Sequence, residues 1–472
     1  TAGRARLLDP GPRLVSAPKP VLTVRLLTWF DERLGGAKYT KKLLDKVFPD
    51  HWSFLFGEVA LYSFVVLLLT GTWLSFFYEP SFQSVVYNGS FEKLQGVEMS
   101  AAYRSAISLS FDVRAGLVMR QIHHWAALIF VAAIVVHMAR IFFTGAFRKP
   151  REINWVVGVT MLLLGMVNGF AGYSLLDDQL SAVGLRIANS MILSIPVGGT
   201  WLSSLAFGGP YPGPDTLQRL FVAHVLLIPA LLAGLIGVHL ALLIRSKHTH
   251  FPGKREREDN VVGQRLWPTY AAKAVGLFFL TAALLALLGG VAQINAIWNY
   301  GPFRVANVSS ASQPDWYMGW PDGALRLFPN WEIRLGGFTV ANVFFPGVLL
   351  IGAVFTLIYL WPWIEARKFG DGEAHHVLER PRDNPRRTGI GVGGLTFLGV
   401  LLVAGSSDVI SITFGLSVNA VIWSLRILLF VLPPITGRIT VQLCRELQAR
   451  DRATAVVETG AAGDRPQVDS TG

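Results

Sequence analysis

Long apolar runs broken by short polar stretches recur along most of the chain. Crossing roughly 30 Å of hydrocarbon takes about 20 helical residues. Eight runs meet that length: 53–78 (α1), 117–144 (α2), 154–176 (α3), 217–245 (α4), 270–295 (α5), 339–363 (α6), 389–407 (α7) and 414–436 (α8). Unbroken runs specify helices; a membrane barrel would alternate apolar and polar positions. The pattern therefore predicts an all-α, polytopic membrane protein. A four-helix unit (51–245) is followed by a charged linker (246–269), a second membrane unit (270–440) and a tail (441–472) whose Ala/Gly/Asp/Thr-rich end predicts disorder. Residues 1–50 lack the apolar core and cleavage site of a signal peptide and form a basic segment, with an amphipathic helix expected around Val21–Leu34. On that reading α1 is its own insertion signal.

Composition agrees: 52% of the 472 residues are hydrophobic and 15% charged, with a mean hydropathy of +0.44. The formal charge of +11 could suggest a nucleic-acid partner. Its distribution excludes that, because roughly three-quarters of the Lys and Arg fall in the N-terminal segment, alternate loops and the C-terminal tail. Those segments are expected to be cytoplasmic, with both termini inside, and the other loops face outward. The lone cysteine, Cys444, excludes an internal disulfide, a Cys-ligated iron–sulfur cluster and a C-x-x-C-H haem attachment within this chain.

Histidines are scarce inside bilayers and mark function there. His123 and His137 in α2 are fourteen residues apart, a turn of about 320° and a rise of about 21 Å, so they share a face near opposite leaflets. His224 and His239 in α4 are fifteen apart, about 60° beyond whole turns and a rise near 22 Å. Antiparallel helices pair His123 with His224 near the outer surface and His137 with His239 near the inner one. Two imidazoles at each depth suit a six-coordinate b-type haem used for electron transfer; a zinc site wants four converging ligands. Hydrogen bonding between helices is the non-functional reading, and four histidines in register weigh against it. His124 adjoins His123 but is out of phase with His137 and is the weaker ligand candidate. His51, His248, His250, His375 and His376 fall in loops or at span ends, where surface or proton-handling roles are expected.

Glycines repeat the same fourteen-residue interval, Gly57 and Gly71 in α1 and Gly158 and Gly172 in α3. Glycine lets a flat macrocycle approach the backbone, or lets helices pack closely. Arg120 and Arg140 flank the two histidine levels and either pair with haem propionates or reach for the interface.

These residues resemble cytochrome b, the core subunit of cytochrome bc-type quinol:cytochrome c oxidoreductases (respiratory complex III), over almost all of α1 to α8. The histidine pairs and spaced glycines match the family's, and Pro314-Asp315-Trp316-Tyr317 is similar to its Pro-Glu-Trp-Tyr quinol-oxidation motif. Gly172-Tyr173 and the Asp177–Arg186 stretch look like the segments lining that pocket. The fifteen-residue interval in α4 resembles the cytochrome bf branch, yet α5 to α8 are fused here. Together with the C-terminal extension, the chain looks most like the actinobacterial form, whose relatives use menaquinol and assemble with cytochrome oxidase.

The resemblance implies two b haems, quinol oxidation outside, quinone reduction inside and proton translocation. It also implies a Rieske iron–sulfur subunit, a cytochrome c subunit, a cytochrome c oxidase partner in a supercomplex, a homodimer and a bacterial cell membrane. Asp315 is the candidate proton acceptor or else caps a helix; Tyr317 orients the quinol or fills the pocket. At the inner site Lys273, Arg245 and His248 are the candidates. Competing readings are a haem-bearing membrane anchor of a dehydrogenase or hydrogenase, which would lack the Pro-Asp-Trp-Tyr loop, and a proton-coupled transporter, which would hold no haem.

Overall fold

A computed structural model of the chain describes residues 22–307 and 313–463. Among the described residues, eight helices are long and apolar enough to cross a membrane: α1 Trp52–Ser75, α2 Gly116–Phe143, α3 Glu152–Ser174, α4 Thr216–Ser246, α5 Leu266–Val291, α6 Phe345–Lys368, α7 Pro385–Ala404 and α8 Val418–Thr454. The protein is an all-helical, multi-pass membrane protein, as the apolar pattern predicts.

α2 packs closely on α1 and α5, α4 on α3, α3 on α6, and α7 on α8. α2 and α4 face one another across a wider gap, bridged by side chains. The largest buried cluster lies among α1, α2, α3 and α4 and includes Phe64, Phe130, Trp155, Met166 and Leu232, with Tyr317 and Phe355 joining from the second half.

The α1–α2, α3–α4 and α5–α6 connections lie at one end of the molecule, since successive helices reverse direction. They carry an antiparallel hairpin (Ser84–Val86 with Glu98–Ser100) and the helices Ala101–Phe111, Gln179–Leu193, Gly199–Phe207 and Trp316–Leu327. Asp178, fully buried, caps Gln179–Leu193 by accepting from the amides of Leu180 (2.9 Å) and Ser181 (3.2 Å). At the other end, Val47–Phe48 pairs with Gln264–Arg265 and joins the start of α1 to the start of α5.

Several boundaries differ from the hydropathy reading. α6 starts at Phe345 because the apolar residues before it, Phe338–Val340, pair with Ile333–Leu335 over a Gly336-Gly337 turn with both glycines at positive φ. α5 stops at Val291, and the carbonyls of Ala292, Ile294 and Asn295 are taken by Trp125, Gln121 and Arg120 of α2. An unwound helix end thus trades intrahelical bonds for side-chain donors on its neighbour. The helix that begins at Val418 continues to Gly463, so residues 452–463 are helical within the stretch from about Arg452 where disorder is expected; 464–472 lie outside the described residues, as do 1–21. The amphipathic helix near Val21 spans Leu22–Leu34.

α6 and α7 are tied by a buried charge network. The Glu365 carboxylate receives the Arg387 guanidinium, with side chains only 5% and 1% exposed, and Arg387 also reaches Glu379, which Arg148 meets at 2.8 Å. Breaking a buried pair from one side costs about 3–5 kcal/mol, whereas an apolar replacement of both costs far less. Glu365→Ala should therefore lower the thermal unfolding midpoint of the detergent-solubilised protein more than the double variant Glu365→Met/Arg387→Met does. Equal losses would contradict the network's role.

Candidate functional site

The four histidines form two pairs. The rings of His123 and His224 have centroids 6.1 Å apart at 79°, and those of His137 and His239 are 6.4 Å apart at 71°. Two metal–nitrogen bonds of about 2.0–2.1 Å, extended by roughly 1.1 Å from nitrogen to ring centre on either side, set axial imidazole centroids about 6.3 Å apart. Both separations fit one iron between each pair. His124 does not meet His224; it points elsewhere, as its phase predicts.

The fifteen-residue interval in α4 carries no 60° offset, because Ala223–Leu227 forms a π-helical turn in which the Ile228 amide bonds the Ala223 carbonyl. Pro229 has no amide hydrogen to give the preceding turn, and a π-turn absorbs the extra residue. His224 is thereby brought into the register that His123 and His137 keep on α2.

Second contacts orient the outer pair. His224 donates its Nδ1 hydrogen to the Asn168 carbonyl (2.9 Å). Thr70 gives its hydroxyl hydrogen to the Val66 carbonyl (2.7 Å), so its oxygen accepts from His123 Nδ1 (2.9 Å). Each ring then keeps an unprotonated Nε2, the form that ligates. The Nδ1 atoms of His137 and His239 are buried without a partner.

The glycines lie where the spacing places them. A Cβ on Gly71 would stand 3.0 Å from His123 Cε1, one on Gly57 would stand 3.1 Å from His137 Cε1, and one on Gly172 would collide with His224. Gly158 faces open space. Arg140 has its guanidinium 4.1 Å from the Phe54 ring, with Nε and Nη2 buried and unpartnered. Arg120 differs: both its Nη atoms donate to the Asn295 carbonyl, leaving only Nε unpartnered.

Asp315 begins the helix Trp316–Leu327 yet makes no side-chain cap bond to it. Its Oδ1 instead meets His124 Nε2 at 2.7 Å and its Oδ2 accepts from the Tyr317 hydroxyl at 3.0 Å. One cavity is bordered by His123, His224, His124, Asp315, Tyr317 and Tyr173, and the Tyr173 hydroxyl is buried without a partner. A second, apolar cavity between α2, α3, α6 and α7 is bordered by Trp316, Tyr317 and Trp320. Tyr317 therefore stands between two mainly apolar cavities, the first of which carries the polar Asp315–His124 group. His124 is the residue that sequence reasoning passed over; the signal was a second intramembrane histidine with no ligand role to fill.

The inner-end candidates are less convergent. Lys273 forms a 2.6 Å ion pair with Asp50 and is half exposed, and Arg245 is exposed. His248 is buried against Phe48, ring centroids 4.3 Å apart, with Nδ1 unpartnered. Burial, and then the charges of Lys46 and Arg151, push its pKa from the ordinary 6.5 down to about 4. The unfolded chain thus binds a proton that the fold refuses. This contribution favours the fold fully above pH 6.5 and is lost as pH falls toward 4. Thermal midpoints should drop over that window, and less steeply in His248→Phe; parallel profiles would contradict the buried neutral imidazole.

Residues 128–302 match the family model described as cytochrome b (N-terminal)/b6/petB. The chain is 49% identical over 438 residues to a cytochrome bc1 complex cytochrome b subunit of Corynebacterium efficiens, covering 92% of this chain and 81% of that one. It is 48% identical over 428 residues to the Streptomyces coelicolor subunit of the same name (91% and 78% covered) and 49% identical over 433 residues to that of Mycobacterium tuberculosis (91% and 79%). A solved structure named hyperthermophilic respiratory Complex III shares the fold, with a TM-score of 0.63 at 20% identity over 88% of this chain and all of that one. At half identity over nine-tenths of its length, this chain belongs to the cytochrome b subunits of cytochrome bc1 complexes.

Proposed function

We propose that the chain is the quinol-oxidising, transmembrane electron-carrying core of a respiratory menaquinol:cytochrome c oxidoreductase. The observation that carries this reading is the shared cavity in which the outer histidine pair and the Asp315–His124–Tyr317 group meet. The histidine pairs, His123 with His224 and His137 with His239, would hold two b haems, which supply one-electron carriers at two depths of the bilayer. The close-approach glycines Gly57, Gly71 and Gly172, and Gly158 with open space before it, suit flat macrocycles beside α1 and α3. Arg140 has the unpartnered donors that a propionate would take, and Arg120 offers its Nε at the outer level.

A quinol entering the outer cavity loses two electrons and two protons. Asp315 accepts a hydroxyl proton, with His124 fixing one carboxylate oxygen and Tyr317 the other. Pro314 directly precedes this carboxylate at the start of the helix Trp316–Leu327. Trp316 and Tyr317 border the apolar cavity, which gives the quinol's tail an oily chamber beside its headgroup. One electron leaves to a Rieske iron–sulfur subunit and then a cytochrome c subunit; the other crosses to the inner end, where two such electrons, from two quinols oxidised outside, reduce one quinone with two protons. Protons are released outside and taken up inside.

The loop distribution of Lys and Arg favours both termini on the cytoplasmic side, and the bacterial relatives favour a bacterial cell membrane. The resemblance to the actinobacterial form extends this proposal to menaquinol as substrate, a homodimeric complex and association with cytochrome c oxidase.

Asp315→Asn should slow quinol-driven cytochrome c reduction by the purified complex about 100-fold while leaving both b-type absorption bands intact. Unchanged turnover would remove Asp315 from the mechanism. His239→Leu should abolish one b-type band and spare the other; two intact bands would exclude the inner pair as ligands.

A further inference from the structure

A polar cluster at the inner end of α1 and α5 serves neither histidine pair. Glu58 follows Gly57, whose added Cβ would touch the His137 ring, so its carboxyl sits at the depth of the inner pair. Its Oε2 accepts from the Tyr62 hydroxyl, one turn on, at 3.0 Å, and its Oε1 accepts from the Tyr270 hydroxyl at the start of α5. Tyr270 stacks on Phe48, centroids 4.6 Å apart, and Phe48 packs on His248. Toward the aqueous side, Asp50 takes Lys273 at 2.6 Å and Gln264 at 2.7 Å.

A half-buried carboxyl near a helix end inside the hydrocarbon boundary is costly, and here hydroxyls rather than cations hold it. Hydroxyl donors stabilise the carboxylate without fixing it in that state, as a buried Arg or Lys partner would. The charged residues nearby are worse proton donors. Lys273 is committed to Asp50, Arg245 is exposed to solvent, and His248 is held neutral.

We propose that Glu58 is the proton-donating carboxyl for quinone reduction at the inner end, with Tyr270 bridging it toward the ring. This rests on the quinol-oxidoreductase reading above. Quinone gains two electrons arriving across the membrane and two protons, and two O–H bonds form. For each electron, Glu58 breaks its own O–H bond, is left a carboxylate between Tyr62 and Tyr270, and regains a proton from the cytoplasmic water past Asp50 and Lys273.

The test follows haem b absorbance by stopped flow in the intact purified complex, driven by reduced 2,3-dimethyl-1,4-naphthoquinone. Glu58→Gln should keep both b-type bands and the rate of their first reduction, while reoxidation slows at least about tenfold. Glu58→Asp should recover much of that rate, which a purely structural role would not predict. Reoxidation within about twofold of the parent rate would overturn the proposal, since acid catalysis contributes about 100-fold or more. Should Glu58→Gln lose its b bands, Tyr270→Phe carries the test: slowed reoxidation supports the relay, and an unchanged rate overturns it. If the parent complex shows no quinol-driven haem reduction at all, the functional reading fails, and this inference falls with it.

Discussion

Four imidazoles held inside a hydrocarbon slab need something to satisfy them, and the arrangement of the first four membrane helices follows from how this is met. α2 and α4 stand too far apart to pack directly, and their histidines meet across the gap at separations that suit an iron atom. α1 and α3 flank that gap with glycines, because a side chain there would strike the same imidazoles. Even an irregularity of α4 serves the pairing. Without the π-turn at Ala223–Leu227, the fifteen-residue interval would rotate His224 away from His123.

The second half of the chain completes the outer site rather than forming a separate one. The end of α5 is held to α2 through Arg120, Gln121 and Trp125, and this fixes the start of the connection that carries Asp315. Asp315 then reaches His124, the neighbour of the pairing residue His123 on the same helix turn. A carboxylate from one half and an imidazole from the other thus meet beside the outer pair, and all of these groups border one cavity.

Much of this was legible in the chain because bilayer physics is strict. Span length, helical phase and loop charge identify eight helices, their alternation and the two histidine pairs. The misses have local causes. Phe338–Val340 is apolar enough to be read into α6, but two glycines turn it back onto Ile333–Leu335. Pro229 signals a disturbed helix without saying whether it kinks or widens. Helical phase makes His124 the weaker ligand candidate but cannot supply its partner, which lies 191 residues away. Glu58 reads as an ordinary interfacial acid until Tyr270, 212 residues on, is brought against it.

On the proposed reading each histidine pair would hold one haem iron. The measurement that tests it most directly is low-temperature electron paramagnetic resonance of the oxidised complex. Imidazole planes near perpendicular, at 79° and 71°, predict two low-spin ferric signals of strongly anisotropic type, each removed by changing either histidine of its pair. A high-spin signal, or a single low-spin species untouched by substitution of His224 or His239, would contradict the account.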